Sequence, residues 1–207
     1  ARAMACLGAA RSRDQRSGGT RGRMILTDRE IKISIEKELI KIDPLPGSAA
    51  YSSTSVDLTL SATIRTFKET CSGVDVTVDP GVSDYKSLAA IGQLTEALEI
   101  PDGGWVLSPR KLILAWTREI VDLRHHARIA ARVEGKSSLA RVGLAVHVTA
   151  PTIHSGFKGS IQLEVINHGP APIRLRPGMS ICQLIFEQTL GAAEKAYQGQ
   201  FLGQAAS

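Results

Sequence analysis

Four polar side chains lie within one short stretch, Gly135 to Arg141, directly before an apolar segment. Lys136, Ser137, Ser138 and Arg141 combine two hydroxyl groups with two cations. Together with the backbone N–H groups of a turn at Gly135, they could bind a di- or triphosphate. A solvated loop with an ordinary serine turn has the same composition, so this stretch alone leaves both interpretations open.

A single carboxylate, Glu164, stands between apolar neighbours. The strand predicted there has two faces, with Ile161, Leu163 and Val165 on one and Gln162, Glu164 and Ile166 on the other. An unpaired carboxylate is costly to bury. Burial also raises the pKa of a carboxylic acid toward the range that suits an acid–base catalyst near pH 7. A solvent-facing glutamate is the alternative interpretation.

The segment HVTAPTIHSGFKG, residues 147–159, predicts a polar turn between two strands. Within it, His154 could contact a ligand or act as a base, and a surface histidine is the alternative. The adjacent pair His125 and His126 lacks the spacing and the companion ligands of a metal site.

These residues need elements to position them, and the pattern predicts mainly strands. A short N-terminal helix is predicted from Thr27 and Asp28 as caps, Glu30 as the partner in a capping box, and a helical repeat at Ile31, Ile35 and Leu39. Alternating apolar segments then predict strands over 55–67, 74–80, 105–117, 127–134, 142–150, 160–169, 172–179 and 180–188. Many short strands with few helices indicate an all-β barrel or jelly-roll sandwich.

Charge and composition divide the chain into three parts. Residues 1–23 contain six arginines and one acid, Asp14, which accounts for the whole net charge of +5. The remaining 19 basic and 19 acidic residues cancel, so no nucleic-acid partner is expected for the domain itself. We predict an arginine-rich leader at 1–23 with Met24 as the natural start, one domain at 24–188, and a tail at 189–207. A targeting or nucleic-acid-binding arm is the alternative for the leader.

Two further absences in the sequence narrow the class of protein. No run of eighteen apolar residues occurs, so no membrane-spanning helix is expected. The three cysteines, Cys6, Cys71 and Cys182, are odd in number and widely spaced. This spacing disfavours a disulfide framework or a cysteine-rich zinc site and favours a reducing compartment such as the cytoplasm.

Several blocks of sequence resemble the dCTP deaminases, which lie within the trimeric dUTPase-like superfamily. The blocks are VEGKSSLARVGL, HVTAP, IQLEVINHG and LRPGMSICQLIFE, with MILTDREI, SVDLTL and LILAWTRE upstream. The resemblance implies a dUTPase-like jelly-roll or β-barrel of the β-clip type. It also implies a cytoplasmic homotrimer with active sites between subunits, and dUTP or dTTP as product or inhibitor.

The implied reaction is hydrolysis of dCTP to dUTP and ammonia, without zinc and with Mg²⁺ carried by the triphosphate. The zinc-deaminase signature, H-x-E with P-C-x-x-C, is absent from the sequence. The resemblance assigns catalysis to Glu164, supported by Ser137 and Arg141. It assigns substrate contacts to Lys136, Ser138, Val148, Thr149, Ala150, His154, Gln162, Tyr197 and Gln200, the last two in a C-terminal segment that covers the nucleotide.

Three positions depart from the family pattern. His154 stands where the family carries an aspartate near the deoxyribose, and Lys136 stands where it carries an arginine. Lysine keeps the charge but loses bidentate geometry toward phosphate. Ala196 stands where a lysine is expected in the closing segment, with Lys195 one place away, and the linker from Gln188 is short.

Two other functions remain open at this point. A dUTPase, or a bifunctional deaminase and diphosphatase, shares the fold. A pure dUTPase requires an aspartate where His154 stands and has no use for Glu164. A nucleotide-binding sensor without catalysis could keep Lys136 and Ser137 but has no reason to retain Glu164 with Arg141.

Overall fold

The computed structural model describes residues 24–69 and 77–195, together with Tyr197, Gly199 and Gly203. The predicted leader at 1–23 and the predicted contact of Gln200 lie outside the described residues. The domain boundaries at 24–188 and 189–207 therefore stay predictions.

The described part of the chain contains three α-helices and thirteen strands. The helices are α1 (Asp28–Glu36), α2 (Ser87–Leu94) and α3 (Ser137–Ala140). The strands are β1 (Met24–Ile25), β2 (Ile40–Asp43), β3 (Tyr51–Ser52), β4 (Ser55–Phe67), β5 (Thr95–Glu99), β6 (Trp105–Leu107), β7 (Leu112–Leu123), β8 (Ile129–Gly135), β9 (Leu144–Ala145), β10 (Thr152–Ile153), β11 (Lys158–Asn167), β12 (Ile173–Leu175) and β13 (Ser180–Gln188). Single turns of 3-10 helix lie at Ser48–Ala50 and His125–Ala127. The prediction of a mainly β fold with a short N-terminal helix is confirmed.

Eleven of these strands form one curled antiparallel sheet. Its main path runs β10-β8-β13-β4-β7-β11-β9, with β1 added to β13, β2 to β7, and β3 and β5 to β4. The strands β6 and β12 form a separate ribbon. The first part of β4 pairs with β13 and its later part with β7 and β5. β4 therefore joins the half of the sheet that ends in the Gly135–Arg141 stretch to the half that carries Glu164.

The alternation predicted for β4 and β11 is confirmed by burial. On β4, Val56, Leu58, Leu60 and Ile64 are fully buried, and on β11 the apolar face of Leu163 points into the same core. Burying one such side chain stabilises the fold by about 1.5–3 kcal/mol relative to leaving it exposed. The opposite face of β4 is polar at its start, and that face becomes important for the candidate site.

The N-terminal helix α1 begins where the sequence predicts, with Ile31 buried in the core. The capping box differs from the prediction, because the Thr27 hydroxyl donates to the Glu30 carboxylate and makes no cap to the helix backbone. Leu39 lies past the helix end. It still packs on the core because Glu38 adopts a left-handed φ of 53° that reverses the chain.

The structure differs from the local predictions at several points. The described part of the segment 74–80, residues 77–80, contains no strand, and α2 was not predicted. The strand predicted over 142–150 shrinks to the two residues of β9. Just before β9, Gly143 lies so close to Gly169 that a Cβ on Gly143 would be 2.2 Å from the Gly169 nitrogen, and residues 146–150, after β9, are in no strand.

A bulge in β7 lies beside the strand that carries Glu164. The pairing of β7 with β11 shifts between Ser160 and Gln162. The Thr117 hydroxyl donates to the Glu119 carbonyl at 2.8 Å and accepts the Ile161 N–H at 2.9 Å. The buried Glu119 carboxylate accepts the N–H and hydroxyl of Thr59 at 2.8 and 2.7 Å. The bulge is therefore held from two sides, which fixes β11 just before Gln162.

Candidate active site

A cavity of about 250 Å³ lies at the base of the polar turn that follows β9. Gln162 and Glu164 reach it from β11, His154 from the turn, and Tyr197 from the C-terminal tail. Ala150 is also part of its wall. The structure thus brings together five of the residues that the sequence nominated for substrate contact or catalysis.

Glu164 is half-buried in the wall of this cavity. One of its oxygens, Oε2, accepts the Val148 N–H at 3.4 Å, a long hydrogen bond. No second hydrogen bond to this carboxylate is found among the described residues. A carboxylate that has one weak protein donor keeps lone pairs for water, which is what a general base requires. Val148 and Thr149 are exposed on the same turn.

The cover of the cavity is aromatic. The rings of His154 and Tyr197 stack with centroids 5.4 Å apart and an interplanar angle of 19°. The Phe157 ring lies 6.1 Å from Tyr197 at 53°. Gly156, with φ of 89°, allows the tail to pass, because a Cβ there would lie 3.1 Å from the Tyr197 nitrogen. The His154 imidazole therefore packs against the tail.

The Gly135–Arg141 loop lies elsewhere in the chain. The single turn α3 begins directly after Lys136, and Ser137, Ser138 and Arg141 are exposed. None of these four residues lines the cavity that contains Glu164. Within one chain, the structure does not bring the nominated supporting residues Ser137 and Arg141 to the nominated base.

Side chains from β4 and β13 hold the start of this loop, and the sequence reasoning missed them. The Lys136 ammonium forms an ion pair with Asp57, which also accepts the Ser180 hydroxyl at 3.0 Å. The Gln183 amide donates to the Gly135 carbonyl at 3.2 Å and accepts the Ser55 hydroxyl at 2.9 Å. The available signal was the polar alternation of β4 opposite its apolar face.

Lys136 therefore has a partner within the protein. Its ammonium retains hydrogens beyond the one that Asp57 accepts, so the prediction that it contacts a phosphate stays a prediction. The ion pair shows how Lys136 is held: a carboxylate on β4, two strands away from β8 in the sheet, orients its ammonium.

Cys182, the one cysteine among the described residues, takes no part in the candidate site. It lies on β13, buried in the core, and burial, with the negative charges of Glu119 and Asp57, raises the pKa of its thiol. It is therefore unreactive at neutral pH. Cys6 and Cys71 lie outside the described residues.

Searches for two other kinds of site gave no candidate in the described part of the chain. No group of three or more His, Cys, Asp or Glu side chains is arranged to hold a metal ion. None of the described helices combines the length and apolar character needed to cross a membrane.

Comparisons with known proteins agree with the fold. A family model described as dCTP deaminase-like matches residues 25–189. The dCTP deaminases of Shewanella baltica strain OS155 and Shewanella oneidensis are each 42% identical to this chain over 176 residues, 84% of this chain and 89% of theirs. The 2'-deoxycytidine 5'-triphosphate deaminase of Agrobacterium tumefaciens superposes with a TM-score of 0.61 at 20% identity, covering 80% of this chain and 48% of its own. The prediction of a dUTPase-like fold is confirmed, and the chain belongs to the dCTP deaminase-like family of enzymes.

Proposed function

We propose that this protein removes the amino group of dCTP by hydrolysis in the cytoplasm, releasing dUTP and ammonia. The observation that carries the proposal is the Glu164 carboxylate, which lies in the wall of a small cavity with one long protein hydrogen bond. The similarity to two proteins named dCTP deaminase supports the choice of substrate. A cavity of about 250 Å³ suits a pyrimidine and its sugar better than a whole nucleoside triphosphate.

In the proposed reaction, a water molecule lies between Glu164 and C4 of the cytosine ring. Glu164 accepts a proton from this water as the oxygen bonds to C4, and it delivers that proton to N3. It then carries the remaining hydroxyl proton to the amino group, the C4–N bond breaks, and ammonia leaves. C4 keeps the oxygen as the uracil carbonyl, and Glu164 ends the cycle as a carboxylate.

The site is completed in this proposal by a second subunit. Ser137 and Arg141 are exposed and do not line the Glu164 cavity of their own chain. We therefore propose a homotrimer in which the Gly135–Arg141 loop of one subunit meets the Glu164 cavity of another. Ser137 would hold the water or the leaving amine, and Arg141 would position the reacting groups. A head-to-tail contact of this kind closes into a ring, which a trimer satisfies.

The triphosphate extends from the cavity toward the same loop. Lys136, Ser137 and Ser138 offer one cation and two hydroxyls at the start of α3. Mg²⁺ is part of the substrate here, since it travels with the triphosphate, and no zinc takes part because Glu164 activates the water. The product dUTP, or dTTP, is expected to occupy the same cavity and compete with dCTP.

A product assay tests this proposal. Purified protein is incubated with Mg²⁺ and dCTP, and ammonia, dUTP, dUMP and pyrophosphate are resolved. Ammonia with dUTP in equal amounts is the expected result. Ammonia with dUMP and pyrophosphate would instead show a bifunctional enzyme. Release of dUMP and pyrophosphate from added dUTP without ammonia from dCTP would show a dUTPase. Binding of dCTP without any product would show a sensor.

A further inference from the structure

One turn of the chain contacts both the tail and the wall of the candidate site. It consists of the 3-10 helix His125–Ala127 and the residue that follows, Arg128. Arg128 has φ of 57° and ψ of 38°, in the left-handed region that residues other than glycine rarely adopt. An arginine is an unfavourable choice for this conformation, so its side chain is expected to have a use.

Arg128 binds the tail where the tail leaves β13. Its Nη2 donates to the Leu190 carbonyl at 2.6 Å and to the Thr189 carbonyl at 3.3 Å. Its own carbonyl accepts the Thr189 N–H at 2.8 Å. A cationic donor strengthens such hydrogen bonds. The direction of the tail is therefore set by three hydrogen bonds to one residue.

The same turn supports the polar wall of the cavity. The His125 carbonyl accepts the Ser155 hydroxyl at 3.2 Å. Gly156 lies against the His125 Cβ on one side and the Tyr197 backbone on the other. His154, which precedes these residues, stacks on Tyr197. The turn thus contacts both the start of the tail and the residues next to His154, and it fixes their positions relative to each other.

We propose that Arg128 is a positioning residue that directs the tail so that Tyr197 reaches His154 over the cavity. The part of this inference that concerns catalysis rests on the proposed function. Arg128 does not touch the cavity, so it acts through Tyr197. Its loss is expected to weaken substrate binding and to leave the chemical step at Glu164 almost unchanged.

The variant Arg128→Asn tests the proposal, because asparagine tolerates the left-handed conformation and removes only the guanidinium. Trypsin cleaves after Lys195, which is exposed in the tail, and mass spectrometry follows release of residues 196–207. Release is expected to be about tenfold faster than in the wild type, since two hydrogen bonds are lost. The KM for dCTP is expected to rise about tenfold with kcat within about twofold. Arg128→Lys keeps the positive charge but loses the forked donors of the guanidinium. Its release rate and its KM are expected to lie between those of the wild type and Arg128→Asn.

Arg174→Asn provides a matched control. Arg174 is another exposed arginine, and its guanidinium donates to a backbone carbonyl, that of Gly103 at 3.2 Å, away from the tail. Its variant is expected to match the wild type in both measurements. Release at the wild-type rate in Arg128→Asn, or faster release with unchanged KM, would overturn the proposal. If the wild type does not act on dCTP, the proposed function fails, and the trypsin comparison alone decides whether Arg128 anchors the tail.

Discussion

The Gly135–Arg141 loop and the cavity wall around Glu164 differ in how many bonds the rest of the molecule makes to them. The loop is held by an ion pair from Asp57 and an amide hydrogen bond from Gln183, and these two residues are themselves bonded to neighbouring strands. The Glu164 carboxylate has one long hydrogen bond, and the turn that provides it is exposed. A charged, repeating ligand such as a triphosphate suits a preformed loop. A reacting carboxylate needs free lone pairs instead.

Replacing Glu164 is expected to have the largest effect among the changes that test this comparison between the loop and the cavity wall. Glu164→Gln keeps the shape of the side chain but cannot accept a proton, so kcat is expected to fall about 10²–10⁴-fold. The KM for dCTP is expected to stay close to the wild-type value, because the loop proposed to bind phosphate is intact. Steady-state ammonia release measures both constants. Glu36→Gln, an exposed change on α1, serves as the control. Wild-type turnover in Glu164→Gln would refute the mechanism.

The division between subunits can be tested by mixing two inactive proteins. Arg141→Ala is expected to lose activity, since it removes the residue proposed to position the reacting groups. Mixing it with Glu164→Gln under conditions that exchange subunits should restore part of the activity, because some sites then combine the two intact halves. Sedimentation checks that a trimer forms. Activity that never returns in the mixed trimer would mean that each site belongs to one chain.

Breaking the ion pair between Asp57 and Lys136, which holds the loop, is expected to have an intermediate effect. Asp57→Asn leaves Lys136, whose side chain is only 23% exposed, without its counter-charge. We expect the free energy of unfolding to fall by about 1–3 kcal/mol and the KM for dCTP to rise. Urea denaturation and kinetics measure the two effects, with the exposed change Asp84→Asn as control.

A double substitution tests whether the effect of Asp57→Asn comes from the lost ion pair. Adding Lys136→Met to Asp57→Asn removes the unpaired charge and should recover part of the lost stability without recovering the KM. A double variant less stable than the sum of the single changes would show that the two side chains do not act as a pair.

The smallest effect is expected at the aromatic cover. His154→Ala removes the stack on Tyr197, and aromatic pairs contribute about 0.5–1.5 kcal/mol. The KM for dCTP should therefore rise about two- to tenfold, with kcat little changed. Tyr197→Phe keeps the stacked ring and should resemble the wild type. A KM unaffected by His154→Ala would mean that the stack has no part in binding.

The alternation of polar and apolar residues explains why much of the fold could be predicted. Side chains on β4, β11 and β13 alternate with the period of a strand, so their buried faces could be recognised. The strand predicted over 142–150 failed for a different reason. Its apolar alternation continues past Ala145, but β9 pairs with β11 over only two residues, and where the pairing ends depends on a partner strand that lies elsewhere in the sequence.

The residues of the candidate site also fall into those that the sequence could predict and those that it could not. Glu164 could be nominated because a carboxylate interrupts an apolar strand, and the structure puts it in a cavity. Asp57, Gln183 and Arg128 could not be nominated, since each acts on a segment more than forty residues away in sequence. Polar residues on a strand look like a solvated face until the neighbouring strand is known.

The two faces of β4 have a consequence for how this enzyme can be altered. A shift of one residue in its register would bury Asp57 and Thr59 and expose Val56 and Leu58, which disfavours such a pairing. The side chains that hold the Gly135–Arg141 loop thus also specify the strand alignment. Selection for new substrates has little freedom there. It has more at the exposed positions 148–150 and at His154, where changes leave the alignment of the sheet intact.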